Sequence, residues 1–309
     1  MRFPILLATL ALAAGSVQAQ ELTHGNLSLT FSTLDGDSGA DLDTFNIEGS
    51  AGYQFGNFDI FGDVDFFDFS DDLGGTEILL FQIGAGYSFG DFRIDGSFAN
   101  LDIDDDVLGI GVTPDADGDI FEIGVGYASG PWEVRAAYAF FDQGVIGVDD
   151  LYGVAVGYKF SESFEASISV HEADGIEGAA LNDTIVIIDA TYDGGNWQVS
   201  GDYIHFDNMD AFNIDGAYGF GNGFGATASV SYIDDEIDDA TRYSVGGYYQ
   251  ISDRVRVDAE YFEFDDFRGD DFDGVAVAIS FDVGRKGVAQ QTQLDRVTNS
   301  LTDVLGLNF

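Results

Sequence analysis

The sequence contains no cysteine, only three prolines and no apolar run long enough to form a membrane-spanning helix. Without cysteine no disulfide can form, so packing and hydrogen bonds must hold the fold together. A helix that crosses a membrane needs about 20 consecutive apolar residues, which excludes a helical membrane protein. The 41 glycines, 28 phenylalanines and 14 tyrosines favour a sheet with tight turns.

Basic residues are also scarce: 11 Lys and Arg stand against 56 Asp and Glu, a formal net charge of −45 at pH 7. Such a surface repels a phosphate backbone, so nucleic acid is excluded as a partner. Acidic chains are often disordered, but 45% hydrophobic and 14% aromatic residues are too many for a disordered chain. We therefore expect a folded protein whose acid lies in loops and at alternate strand positions.

Residues 1–19 predict an export signal that is not part of the fold. Arg2 supplies the positive start, and residues 4–14 form an apolar stretch too short to span a bilayer. Small residues at 17–19 predict cleavage after Ala19. The rest of the chain is then expected to fold outside the cytoplasm.

Seven times between residues 48 and 261, alternating apolar and polar residues lead into a tight turn and then alternate again. Clear copies are EGSAGYQF-GN-FDIFGDVDF at 48–66 and QIGAGYSF-GD-FRIDGSF at 82–98. One further strand at each end, 26–34 and 274–281, brings the count to sixteen. Runs of about ten residues suit tilted strands that cross a bilayer. The pattern predicts an all-β fold, a transmembrane antiparallel up-and-down barrel over residues 20–284.

The two ends of this barrel are expected to differ, because tight turns such as Gly56-Asn57 alternate with longer, Asp-rich connections. In outer-membrane barrels the short turns face the periplasm, which places both termini there. Aromatic residues beside the tight turns predict an interfacial girdle and favour a membrane barrel over a soluble sandwich. They are Tyr53, Phe55, Phe58, Tyr87, Phe89, Phe92, Tyr127, Trp132, Tyr158, Phe160, Phe164, Tyr192, Trp197, Tyr218, Phe220 and Phe224.

The polar positions of the alternation are expected to line a water-filled interior, because a charged inner face cannot be kept dry. The predicted pore-lining residues are Glu48, Asp59, Asp63, Asp65, Arg93, Asp95, Glu122, Glu133, Arg135, Lys159, Asp189, Asp202, Asp215, Arg242, Arg254, Arg256, Asp258 and Glu260. Rings of acid favour cations, so we expect cation selectivity.

The basic residues of this set fall on two separated groups of strands. Arg93, Arg135 and Lys159 lie on strands five to eight, and the other three on strands fourteen and fifteen, which predicts two basic patches. The alternative is that each arginine pairs with a neighbouring carboxylate. The inward glycines have a different role: we interpret them as relieving crowding where the sheet curves, with neighbouring rings covering them. They are Gly84, Gly86, Gly124, Gly126, Gly153 and Gly157.

With its export signal, sixteen alternating segments, GxGYxF hairpins and this loop order, the chain resembles general porins of alphaproteobacterial outer membranes. The resemblance implies passive diffusion of small hydrophilic solutes and ions, contact with outer-membrane lipid and lipopolysaccharide, and a homotrimer. It also implies that the third long loop narrows the lumen, with Asp104, Asp105, Asp106, Asp115, Asp117 and Asp119 as constriction residues. Two basic patches depart from the single basic wall of that family. A substrate-specific channel and a structural or adhesive barrel remain open.

Enzymatic activity is not expected, because a nucleophile and base must lie together. The three histidines, His24, His171 and His205, have no adjacent nucleophile motif, and we interpret them as exposed residues near strand ends. Residues 115–119 (DADGD) alternate carboxylates as calcium loops do, but Glu122 is too near to act as the distal ligand. We expect no metal or cofactor, with calcium as the open alternative.

Residues 285–309 continue past the last strand and are expected to form a periplasmic extension. Apolar residues within 288–305 have helical spacing, which predicts a short amphipathic helix. Entry of this helix into the pore and contact with a partner remain open. The apolar residues are Leu294, Val297, Leu301, Val304 and Leu305.

Overall fold

The computed structural model describes residues 22–36, 41–71, 74–105, 116–142, 148–175, 183–207, 209–235, 239–265 and 271–284. The strands are β1 (Leu22–Gly36), β2 (Asp41–Phe55), β3 (Phe58–Asp71), β4 (Gly74–Phe89), β5 (Phe92–Asp105), β6 (Ala116–Ser129), β7 (Trp132–Phe141), β8 (Val148–Ser161), β9 (Phe164–Gly175), β10 (Asp183–Asp193), β11 (Trp197–Phe206), β12 (Met209–Gly221), β13 (Phe224–Asp235), β14 (Asp239–Ser252), β15 (Val255–Asp265) and β16 (Asp271–Gly284).

These sixteen strands form one closed antiparallel barrel in which each strand pairs with its sequence neighbours and β1 pairs with β16. The predicted fold class and strand count are therefore confirmed. Within the described ranges, no helix is long and apolar enough to cross a membrane. The predicted export signal and the 285–309 extension lie outside the described residues and stay predictions.

All strands except β7 and β11 are longer than the ten residues predicted, and the connections opposite the tight turns are correspondingly shorter. The third of these, predicted from Asp104 to Asp119, is bounded by the end of β5 at Asp105 and the start of β6 at Ala116. Acidic side chains end an apolar pattern, but the backbone ladder does not depend on side-chain polarity and continues through them. This connection is still the longest between consecutive strands.

The tight turns lie where the sequence predicts them. Gly56 and Gly90 have φ values of 62° and 64°, in the left-handed region that residues with a Cβ rarely adopt. Glycine at these positions lets the chain reverse within two residues. The seven tight turns therefore all close one end of the barrel.

Apolar side chains cover the outside of the barrel, as the alternation predicts. On β6, Ile123 and Val125 are 60% and 52% exposed, whereas the intervening Glu122 and Gly124 are buried. The strand pairing carries this parity from strand to strand round the ring. A surface of exposed large apolar residues is the lipid-facing side of a membrane barrel.

The predicted aromatic girdle is present on this outer face, beside the tight turns. Rings on neighbouring strands contact one another: Phe92 and Tyr127 have centroids 4.9 Å apart, and Trp132 and Tyr158 have centroids 4.5 Å apart. Such rings sit at the level of the lipid headgroups and fix the height of a barrel in the bilayer. The girdle therefore marks one edge of the lipid-facing band of the barrel.

The inner wall is not polar along whole strands, which corrects the prediction. In the half nearer the long connections, buried inward apolar side chains form one cluster from β4 to β14. On β10 both faces are apolar, with Ile185 and Ile187 inward and Val186 and Ile188 outward. Most charged inward positions lie nearer the tight turns. The cluster, which we call the inner apolar belt, consists of Leu80, Ala99, Ile120, Ala139, Phe141, Leu151, Ala173, Ile185, Ile187, Ile204, Ala211, Ile233 and Ala240.

Candidate functional site: the charged inner wall

The strand register places the predicted pore-lining residues on the inward face, with one exception. Arg254 lies in the tight turn between β14 and β15 and not on a strand. The remaining residues share the parity of buried inward positions such as Asp95 and Glu122. Their contact with permeating ions stays a prediction.

The predicted constriction residues do not act as one group. Asp105 is the last residue of β5, and Asp104 and Asp119 have outward parity because β5 and β6 extend further than predicted. Asp117 also lies on the outward face, where the amide nitrogen Nδ2 of Asn100 donates to Asp117 Oδ1 at 3.0 Å and to Asp119 Oδ1 at 3.1 Å.

The proposed narrowing of the lumen by the third loop is not tested by the described part of the chain. The two remaining predicted constriction residues, Asp106 and Asp115, lie outside the described residues. The described acidic side chains of β5 and β6 at this end, those of Asp102, Asp104, Asp117 and Asp119, lie on the outward face.

One ion-pair network joins β3, β5, β6 and β7 on the inner wall, and we call it the first arginine cluster. Arg93 donates from Nη1 and Nη2 to the two carboxylate oxygens of Asp59, at 2.5 and 2.7 Å. Its Nε lies 3.2 Å from Asp95 Oδ1. Arg135 donates to both oxygens of Asp95 at 2.6 Å and to Glu122 Oε1 at 2.7 Å. Asp95 therefore bridges two guanidinium groups.

This cluster is shielded from bulk water. Its side chains are between 2% and 15% exposed. Three carboxylates and two guanidinium groups leave it with one formal negative charge. Bidentate arginine–carboxylate pairs are strong and geometrically specific, so both guanidinium groups are held in fixed orientations.

A second arginine cluster lies on β14 and β15. Arg242 Nη2 donates to Glu260 Oε1 at 2.7 Å, and Arg256 donates from Nε and Nη2 to Asp258 Oδ1 at 2.9 and 2.5 Å. Arg256 also stacks on the ring of Tyr248, with Cζ 4.0 Å from the ring centroid. Each arginine of this cluster is thus paired with an acid on its own wall.

Next to this cluster the wall forms a recess of about 270 Å³. Both arginines of the second cluster line it, together with Ser200, Asn213 and Asp215. The recess therefore presents hydrogen-bond donors, acceptors and charges of both signs.

The two clusters face each other across the barrel, because β5–β7 and β14–β15 are half a ring apart in the closed strand order. Four of the inward arginines thus fall into the two predicted groups, but in each group they are paired with carboxylates, as in the alternative prediction. Lys159 is exposed near a tight turn, opposite Glu165 in the register. Neither cluster is basic on balance, since inward carboxylates outnumber inward basic side chains among the residues that the structure describes.

The histidines differ from the interpretation as exposed residues near strand ends. His171 is a buried inward residue of β9, 2% exposed, and its Nε2 lies 2.8 Å from Ser169 Oγ. Both side chains are too buried for a substrate to reach this serine–histidine contact. His205 is partly exposed on the outward face of β11, and His24 lies on β1. Among the described residues, no group of three His, Cys, Asp or Glu is arranged to hold a metal ion.

Comparisons with known proteins agree with this architecture. The profile of a family described as Gram-negative porin matches residues 25–163 and 142–300. No curated protein matches the chain. A mutant of the Rhodopseudomonas blastica porin is 16% identical, with a TM-score of 0.50 over 84% of this chain and 99% of that one. Pseudomonas aeruginosa OpdQ is 10% identical, with a TM-score of 0.55 over 86% and 99%. At these identities the likeness concerns the fold.

Proposed function

The chain belongs to the Gram-negative porin family and forms a channel in the bacterial outer membrane, and we propose that this channel passes small hydrophilic solutes by passive diffusion and prefers cations. The family and fold favour a channel over an enzyme. A homotrimer and contact with lipopolysaccharide are further predictions from the family resemblance.

One observation carries the cation preference: the inward arginines are already paired with acids on their own walls. Arg93 and Arg135 are held by three carboxylates, and Arg242 and Arg256 by Glu260 and Asp258. Further inward acid at Glu133, Asp189, Asp202 and elsewhere then sets the sign of the potential in the lumen. Rings of acidic side chains lower the energy of a cation in a pore and raise that of an anion.

The cation preference is tested by the reversal potential of the purified protein in a planar bilayer that separates two KCl solutions of different concentration. We expect the reversal potential to have the sign of the potassium equilibrium potential. Its magnitude is expected to decrease as both salt concentrations rise, because salt screens fixed charge. A reversal potential on the chloride side would overturn the proposed selectivity while leaving the channel itself intact.

The recess beside the second arginine cluster favours a second candidate, a substrate-specific channel. Its lining of Ser200, Asn213, Asp215 and two arginines could hold a small solute that carries both charges. A channel with such a site shows a saturable fall in ionic current when a zwitterionic solute such as an amino acid is added. A current that falls only in proportion to solution conductivity supports passive diffusion.

A further inference from the structure

Two inward arginines lie flat against the backbone of a neighbouring strand at positions occupied by glycine. A Cβ atom added to Gly86 would lie 2.0 Å from Nη2 and 2.3 Å from Cζ of Arg93. A Cβ atom added to Gly124 would lie 2.4 Å from Nη2 and 2.7 Å from Cζ of Arg135, and 2.8 Å from Oδ2 of its partner Asp95. Each guanidinium group therefore occupies the space that any other residue would fill with its side chain.

On the opposite wall an aromatic ring covers each glycine, and the guanidinium group of an arginine lies on the other face of that ring. A Cβ atom on Gly225 would lie 2.1 Å from Cζ of Tyr248, the ring on which Arg256 stacks. A Cβ atom on Gly274 would lie 2.5 Å from the backbone oxygen of Thr33 and 2.7 Å from Cζ of Phe262, and Arg242 Cζ lies 4.6 Å from the centroid of that ring. Ring and guanidinium thus form a flat stack on the wall.

Other inward glycines show that this arrangement is not a general property of the curved sheet. A Cβ atom on Gly126 would have no heavy atom nearer than 3.8 Å, and one on Gly157 none nearer than 3.7 Å. Gly84 and Gly153 are covered by the uncharged ring of Phe61 and by the imidazole of His171. At Gly153 the backbone oxygen of Val170, 2.5 Å from an added Cβ, also restricts the space, whereas at Gly86 and Gly124 all the nearest atoms belong to side chains of the first arginine cluster.

We propose that Gly86, Gly124, Gly225 and Gly274 determine the ion selectivity of the channel by holding the inward arginines against the wall. Lying flat, each guanidinium group stays beside its carboxylate partners and away from the path of the ions. If a side chain occupies the space above the glycine, the guanidinium group must leave that space and extend toward the lumen, where its positive charge repels cations. This proposal rests on the proposed acidic pore and names what keeps it acidic.

The test uses Gly86→Ala and Gly124→Ala, because the atoms that the new methyl group displaces are the far ends of flexible side chains and the strands need not move. We expect both variants to assemble with the heat-modifiable gel mobility of the native barrel. In each, the ratio of potassium to chloride permeability is expected to fall about two- to fivefold, since a unit charge is brought close to the ion path through partly screening water. Gly126→Ala adds the same methyl group to an open position of the same wall and is expected to keep the native ratio.

A second variant pair identifies the arginine as the cause. In a channel that carries Arg93→Gln, adding Gly86→Ala is expected to leave the permeability ratio unchanged, because no positive charge remains to be released. The proposal would be overturned if Gly86→Ala lowered the permeability ratio equally with and without Arg93. It would also be overturned if Gly86→Ala and Gly124→Ala both kept the native permeability ratio, or if both failed to assemble. The sign of the native reversal potential tests the proposed function separately, because the glycine proposal concerns only the direction of the change.

Discussion

Replacing Ile123 with arginine is expected to lower the free energy of unfolding from a lipid bilayer by about 2–4 kcal/mol. Ile123 lies near the middle of β6 on the outward face and is 60% exposed. At that depth an arginine side chain would have to leave its charge in hydrocarbon or distort the bilayer to reach water. The measurement is reversible urea unfolding from phospholipid vesicles, followed by the fluorescence of Trp132 and Trp197.

The matched control is Ser200→Arg, which places the same side chain on the inward face opposite Asp215. There the guanidinium group finds water and a carboxylate, so we expect a change within about 0.5 kcal/mol. Equal costs for Ile123→Arg and Ser200→Arg would mean that the two faces do not differ in solvent. The assignment of the outward face to lipid would then be wrong.

The barrel could be predicted from the sequence because its two signals are local. Alternation with a period of two fixes which face each side chain takes once a strand begins. Turn residues such as Gly56 and Gly90 fix where each hairpin reverses, because they supply the φ values that the turn needs. Together these set strand count, order and orientation without any long-range information.

Strand ends could not be predicted in the same way. Asp117 and Asp119 look like loop residues, yet they continue β6 beyond the apolar region and pair in register with Asp102 and Asn100. Side-chain polarity marks where hydrocarbon ends and does not mark where backbone pairing ends. Because of this difference, residues expected in the lumen lie on the outer face.

The interior was predicted in part. The run Ile185 to Ile188 is apolar on both faces of β10, and this loss of alternation was the available signal for the inner apolar belt.

The ion-pair partners carried no such signal. Arg135 and Asp95 are 40 residues apart in sequence and meet through the registers of three strands. Small errors at predicted strand ends do not change which residues pair, but the ion-pair geometry follows only from the register of these strands in the structure.

Asp95→Asn is expected to produce the largest effect of any single charge removal on the inner wall. Asp95 is 5% exposed and accepts hydrogen bonds from both Arg93 and Arg135. An amide keeps its size but loses the charge, so two shielded guanidinium groups lose their shared counter-charge. Removing one partner of a buried ion pair costs about 3–5 kcal/mol, which we expect as the fall in the free energy of unfolding.

The same substitution is expected to lower the ratio of potassium to chloride permeability, because the first arginine cluster changes from one formal negative charge to none. Glu133→Gln is the matched control: Glu133 is an exposed inward residue of β7 with no ion pair among the residues described. It also removes one negative charge, but we expect its effect on stability to stay within about 0.5 kcal/mol. Stability and selectivity therefore change together in Asp95→Asn and separate in Glu133→Gln. If Asp95→Asn were as stable as the native barrel, bulk water would have to reach the cluster, and its arginines would not be held by the wall.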